Sequence, residues 1–434
     1  MTTMNQVKTD NSTSTLASNS TVLRIVTAGS VDNGKSTLIG RLLYDSKKIL
    51  QDQLENIEAA KERYGNETIN LAFLTDGLRA EREQGITIDV AYRYFTSDKR
   101  KYILADCPGH IQYTKNMVTG ASTADAAIIL IDAKAGFIEQ SRRHTYLSML
   151  LGVSHVIFAI NKMDLMDYSE NTYEEIRSEI VDWLPKESNS DYHFIPISAL
   201  EGDNIVKKLD NMPWYEGEAL IDFLDNLHVN PKNTFDHFRF PVQWVIRPQS
   251  NEFHDFRGYA GTVASGHVSV GDEVTVLPSG LSTKVKAIQI GTKDVEKVSP
   301  GLSPTILLED DLDISRGSLI CAKAKPALSD NRINAVVTWL NAKPAQTGKR
   351  YWLKHSTRWV KVIIEDLNNE LNLHSLNFEE SSSSKLDLNG IAKLSLNCSE
   401  EIYYDLYEDN RTTGSFIIVD ENNFETVGAG MITK

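Results

Sequence analysis

Residues 29–36 read Gly29-Ser30-Val31-Asp32-Asn33-Gly34-Lys35-Ser36, the spacing G-x-x-x-x-G-K-[ST]. The apolar run Val22 to Ala28 precedes it, and Lys35 to Leu43 opens a helix behind the glycine turn. A strand that ends in such a turn and continues as a helix is the setting in which this spacing cradles phosphate, and it commits the surrounding chain to a layered α/β arrangement. Gly29 and Gly34 let the backbone curl until the N–H groups of Ser30, Val31, Asp32 and Asn33 converge on phosphate oxygens. The helix N-terminus adds the positive end of its dipole. Lys35 supplies a mobile cation for the β- and γ-phosphates, and the Ser36 hydroxyl is placed to ligate Mg²⁺. A chance glycine-rich turn would come without both flanks. The loop alone does not separate ATP from GTP.

Three further segments follow in the order a guanine-nucleotide site needs. Asp106-Cys107-Pro108-Gly109-His110 comes after the apolar run Tyr102 to Ala105, so the Asp106 carboxylate, at a strand end, can hold the metal through a water. Gly109 has no side chain to keep its N–H from a γ-phosphate. Asn161-Lys162-Met163-Asp164 follows the run Val156 to Ile160, and N-K-x-D at a strand end is far more specific than D-x-x-G. Asp164 can accept from the N1–H and N2–H₂ of guanine, donors that adenine does not present, so the wrong base leaves a carboxylate unpaired. Asn161 is expected to tie loops together and the Lys162 stem to lie over the ring plane. Ser198-Ala199-Leu200 offers N–H groups to the guanine O6, and Thr87, in Glu83-Gln84-Gly85-Ile86-Thr87-Ile88, is the candidate second protein ligand for Mg²⁺. Outside this context the tripeptide is noise and Thr87 an ordinary turn residue.

From Thr21 to about Val229 short apolar runs alternate with helical patterns, the grammar of a P-loop domain built on a mostly parallel, doubly wound sheet. Strands are expected at Val22 to Ala28, Tyr102 to Ala105, Ala126 to Asp132, Val156 to Ile160 and Phe194 to Ile197, and a helix at Glu174 to Leu184, which Pro185 stops. From Phe238 onward short β-type runs punctuated by glycine, such as Glu273 to Leu277, Lys284 to Ile290 and Ile333 to Leu340, predict two β-barrels. The expected division is a tail at 1–20, a nucleotide domain at 21–230, and barrels at 235–327 and 330–434, with Lys323 to Asp330 as the linker and Ser381 to Ser384 as a loop tip.

At 434 residues the chain suits two to four domains. Its formal charge of −14 argues against binding polyanions through general electrostatics, so nucleic acid is not expected. Cys107, Cys321 and Cys398 lack ligand or disulfide spacing, which fits a reducing cytoplasm. No apolar stretch approaches the roughly 20 residues that span a bilayer, so no membrane association is expected.

With these motifs assembled, the first 230 residues resemble the GTPase domain of translation elongation factors. A closer resemblance lies in Thr37 to Asp45, Asp76 to Glu83, Asn211-Met-Pro-Trp-Tyr215, Arg239 to Gln243 and Asp255 to Thr262. These are similar to the large, GTP-hydrolysing subunit of bacterial heterodimeric sulfate adenylyltransferase. The resemblance implies that GTP hydrolysis drives formation of adenylyl sulfate and diphosphate from ATP and sulfate. Adenylyl transfer would then occur on a separate small, ATP-dependent subunit, as the first step of sulfate assimilation. It also implies that His110 positions the attacking water and that Val31 and Ile86 gate it. The sequence departs from the family pattern at Asn33, where Asp is typical, and at Cys107, where Thr is typical. No H-x-G-H motif is present, and Gly348-Lys349 makes no second phosphate loop because position 343 is Lys343. The rival reading is an elongation-factor-like GTPase that delivers aminoacyl-tRNA.

Overall fold

The structure is a computed structural model that describes residues 22–45, 89–229, 235–248, 256–380 and 385–434. The tail at 1–20, the Asp76 to Glu83 segment, Ile86, Thr87, Asp255 and the Ser381 to Ser384 tract lie outside the described residues. The chain packs as two compact units, one holding residues up to 109 with 116–179 and 188–229, the other holding 110–115, 180–187 and the chain from 230.

The first unit is built on a six-stranded sheet. Its strands are β1 Val22–Gly29, β2 Ala91–Thr96, β3 Lys101–Asp106, β4 Ala126–Asp132, β5 His155–Asn161 and β6 Asp191–Pro196, in the spatial order β2-β3-β1-β4-β5-β6. All neighbours are parallel except β2, which runs antiparallel to β3 at the edge. β4 reads Ala-Ala-Ile-Ile-Leu-Ile-Asp and is buried over its six apolar residues, as helices on both faces require. The core runs through Ile25, Leu38, Leu42, Leu104, Ile128, Leu130, Ile157, Ile197 and Leu224. Parallel strands bring their carboxyl ends to one edge, where ligands bind in open α/β sheets. Gly29, Asp106, Asp132 and Asn161 all stand there, fixed by the register Thr27 with Asp106, Gly29 with Leu130 and Asp132 with Asn161.

The helices are α1 Lys35–Asp45, α2 Thr114–Thr123, α3 Glu139–Leu150, α4 Glu170–Trp183 and α5 Leu220–Asn226. α4 begins one turn before the expected Glu174. Glu170 in its first turn complements the helix dipole, a signal the apolar spacing of Ile176, Ile180 and Leu184 does not carry.

The second unit contains two closed β-barrels. In the first, β7 Arg239–Ile246, β8 Gly258–Gly261, β9 Glu273–Leu277, β10 Leu281–Ile290, β11 Thr305–Leu308 and β12 Leu319–Ala322 pair around the ring β9-β12-β7-β8-β11-β10 and back to β9. In the second, β13 Leu328–Trp339, β14 Arg350–His355, β15 Arg358–Asn372, β16 Ile391–Tyr404, β17 Ser415–Val419 and β18 Thr426–Thr433 close as β14-β17-β18-β13-β16-β15. Closure leaves no open edge. β13 begins at Leu328, inside the stretch expected to be a linker, and pairs Leu328 with Tyr404 and Asp330 with Ile402. The side chains from Leu328 to Arg332 are exposed, so this end of the strand carries no apolar alternation by which a sequence reading could find it.

Within this unit Arg239, at the head of β7, is fully buried. Its Nε and Nη2 donate to Asp405 Oδ2 and Oδ1 at 2.9 and 2.8 Å, and Nη1 donates to the carbonyls of Phe238 and Lys325. Thr413 Oγ1 donates to Asp405 Oδ2 at 2.6 Å. This bidentate pair joins the two barrels.

Candidate nucleotide site

Gly29, Asp32 and Gly34 all have positive φ, at 157°, 63° and 90°, so the backbone between β1 and α1 curls through conformations that favour glycine at 29 and 34. The curl turns carbonyls inward. Lys35 is buried, and its Nζ donates to Gly29 O at 2.9 Å and Ser30 O at 2.7 Å. Burial drives the Lys35 ammonium down to about 8, against the opposing pull of Asp106. Ser36 is half-buried in the first turn of α1 and Val31 is exposed.

The Asp106 carboxylate, 2% exposed, ends β3. A Cβ built on Gly109 would lie 2.5 Å from Lys35 Nζ and 2.8 Å from Gly29 O, so the chain after Asp106 closes over the phosphate loop and only glycine fits. Cys107 is fully buried, with its thiol 3.7 Å from Asn116 O, and burial pushes the thiol up in pKa. Pro108 is buried beside it. His110 is half-buried in extended backbone and caps the 3-10 turn Ile111–Tyr113, with Tyr113 N donating to His110 O at 3.0 Å.

Asn161 is the hub of the other loops. Its Nδ2 donates to Asn33 O at 2.8 Å and its Oδ1 accepts from Ala199 N at 2.9 Å. One buried amide thus ties the phosphate loop, the Asn161 to Asp164 turn and the Ser198-Ala199-Leu200 turn together. Asn33 Nδ2 donates to Leu130 O at 2.8 Å, a contact an Asp could not make, so the Asn at this position anchors the loop to β4. Met163 is buried, Asp164 half-buried, and Ser198 fully buried.

Two pairings at this edge escaped the sequence reading. Lys162, in the left-handed region at φ 66°, donates from Nζ to Asp132 Oδ2 at 2.7 Å. Burial raises the Asp132 pKa, but hydrogen bonds from Lys162 and the Lys134 amide outweigh it and the net shift is downward. Arg41 of α1 donates to the carbonyls of Ala199 and Leu200, bracing the third turn. Both pairings depend on which strands and loops are neighbours in space.

The family description "Elongation factor Tu GTP binding domain" matches residues 20–229, and "GTP-eEF1A C-terminal domain-like" matches 332–433. The protein named sulfate adenylyltransferase subunit 1 from Colwellia psychrerythraea is 47% identical over 416 residues, covering 95% of this chain and 88% of the relative. Its namesake from Alteromonas mediterranea is 48% identical over 413 residues, covering 95% and 86%, and that from Bacteroides fragilis is 46% identical over the same shares. This chain belongs to the sulfate adenylyltransferase subunit 1 family. The resemblance expected from the local segments is thereby met, as is the fold of a P-loop domain followed by two barrels. As a subunit 1 family member the chain carries a GTP-binding domain. Among the described residues no helix is long and apolar enough to cross a membrane.

Proposed function

We propose that this chain is the GTP-hydrolysing subunit of a sulfate adenylyltransferase, in which GTP hydrolysis drives the formation of adenylyl sulfate and diphosphate from ATP and sulfate on a small, ATP-dependent partner subunit in the cytoplasm. The observation that carries the reading is near-full-length similarity to subunit 1 proteins in a chain whose Asn161 binds phosphate loop and base-side turns into one site. The proposed division is a nucleotide domain at 21–230 and barrels at 235–327 and 330–434.

Asp164 accepts from the guanine N1–H and N2–H₂, Asn161 and Lys162 shape the base edge and face, and the N–H groups of Ser198 and Ala199 meet O6. Residues 29–36 hold the phosphates, with Lys35 over the β- and γ-groups. The close cradle at Gly109 fits a phosphate that only an N–H can approach. Ser36, Asp106 and Thr87 would hold Mg²⁺, an arrangement suited to an ion that takes few protein oxygens beside phosphate. When bound, the ion offsets charge on the transferring phosphoryl group. His110 is the proposed orienting group for the attacking water, and Val31 and Ile86 are its proposed apolar gate. Loss of the γ-phosphate releases the segments around Thr87 and Gly109, which reports the nucleotide state to the partner.

The deciding experiment purifies the chain with its small subunit and measures sulfate-dependent diphosphate release. GTP should stimulate it, and a non-hydrolysable analogue should not. Absence of stimulation, with the small subunit active, would remove this reading.

A further inference from the structure

A cavity in the first unit is lined by none of the residues assigned to nucleotide. Its volume is about 490 Å³, within the range of about 300–1,000 Å³ usual for ligand pockets. One wall is a single stripe of α4, since Glu170, Tyr173, Glu174 and Arg177 recur at i, i+3, i+4 and i+7. The facing wall comes from the loop carrying Trp214, Tyr215 and Glu218, and β6 closes the floor with His193 and Phe194.

The lining has two characters. Aromatic side chains back the lining, with Tyr173, itself buried, at 5.2 Å from Trp214 and 6.4 Å from Tyr215 between centroids. Trp214 is held by its Nε1–H, which donates to Tyr168 O at 2.9 Å. Around the aromatics stand three carboxylates, Glu170, Glu174 and Glu218, against one lining cation, Arg177, which already pairs with Glu174 at 2.9 Å and covers Phe194. Lys208 approaches the ring of Tyr215 without lining the cavity. His193 adds no opposing charge, because burial and then His155 hold it toward the neutral form. Its Nε2 is buried without a hydrogen-bond partner.

Aromatic faces with surplus negative charge select cations and reject phosphate or carboxylate ligands. We propose that this cavity receives a guanidinium group, the arginine side chain of a partner polypeptide. The planar guanidinium lies against the half-buried ring of Trp214 while its N–H groups reach Glu170 and Glu218, a combination an ammonium matches less well.

The test uses the full chain with its six tryptophans labelled as 5-fluorotryptophan, the Trp214 signal being assigned by its loss in Trp214→Phe. N-acetyl-arginine amide, the mimic of a chain-borne arginine, should shift that signal saturably in the millimolar range. N-acetyl-citrulline amide, its neutral isostere, should bind at least fivefold more weakly. Glu170→Gln and Glu218→Gln should each weaken binding by about two- to fivefold, and Arg177→Gln, which removes the competing cation, should tighten it. The other five tryptophan signals report that each variant is folded. No saturable shift, an equal response to citrulline, or tighter binding of N-acetyl-aspartate amide would overturn the proposal. Free arginine binding more tightly than the amide would overturn the polypeptide source.

Discussion

Asn161 and Asn33 stand 128 residues apart in the chain, yet the Asn161 amide donates to the Asn33 carbonyl at 2.8 Å while its own carbonyl accepts from Ala199 N. The loop proposed to hold phosphate and the turns proposed to hold the base are therefore one piece. Asn161→Ala would leave Asn33 O and Ala199 N buried without these partners, at a cost of about 1–3 kcal/mol each. The expected result is at least about a tenfold loss of GDP affinity by isothermal titration, with a lowered melting temperature. Unchanged affinity would show that the two turns are held by other means.

Asp164 sets the choice of base in the proposed site. Replacing its carboxylate by an amide exchanges an acceptor for a donor, which opposes the N2–H₂ of guanine and suits the carbonyl of xanthine. Asp164→Asn should weaken GTP and strengthen xanthosine triphosphate, read by competition against a labelled nucleotide. Equal losses for both would place base selection elsewhere.

How much of this could be read beforehand depends on the range of each interaction. The phosphate loop, N-K-x-D and the strand β4 were visible because each is a local pattern tied to one backbone geometry. The Lys162 to Asp132 pair was hidden, since it exists only because β4 and β5 are neighbours. The exposed start of β13 at Leu328 was hidden because a strand with polar side chains on both faces has no period to detect.

Lys35 predicts a pH dependence. Its folded pKa, lowered to about 8 by burial, lies well under the unfolded value. Phosphates favour the charged form, so binding takes up a proton once the free protein's Lys35 begins to deprotonate. Nucleotide affinity should hold below about pH 8 and then fall by up to tenfold per pH unit, a fall that Lys35→Met abolishes. For the free protein the sign is opposite. The unfolded chain binds the proton more tightly, so this group adds stability as pH rises from about 8 toward 10.5. Flat affinity between pH 7 and 9.5 would contradict the buried ammonium.

Gly109 and His110 are adjacent but should fail differently. A Cβ at 109 meets Gly29 O at 2.8 Å, so Gly109→Ala displaces backbone at the phosphate loop and should lower both GTP affinity and turnover. His110→Ala removes only the proposed water-orienting ring. Single-turnover hydrolysis should fall by about 10²-fold or more, with GDP affinity within twofold of the parent. A His110 variant that hydrolyses normally would leave the water without its assigned orienting group.

The Arg239 to Asp405 pair, joined at 2.8 and 2.9 Å and shielded from solvent, makes the last prediction one about what a buried charge costs when stranded. Removing a single partner from such a pair costs about 3–5 kcal/mol, whereas replacing both by apolar side chains is often neutral. Asp405→Ala also deprives Thr413 Oγ1 of its acceptor, so it should be the worse single change. Hydrogen exchange in peptides spanning β7 and residues 400–413 should speed up by about two to four orders of magnitude in Arg239→Met or Asp405→Ala. In the double variant Arg239→Met with Asp405→Leu, most of that loss should be recovered. If the double variant exchanges as fast as the faster of the single variants, the pair is supplying attraction that apolar packing cannot replace. The barrels would then be held together by charge rather than merely oriented by it.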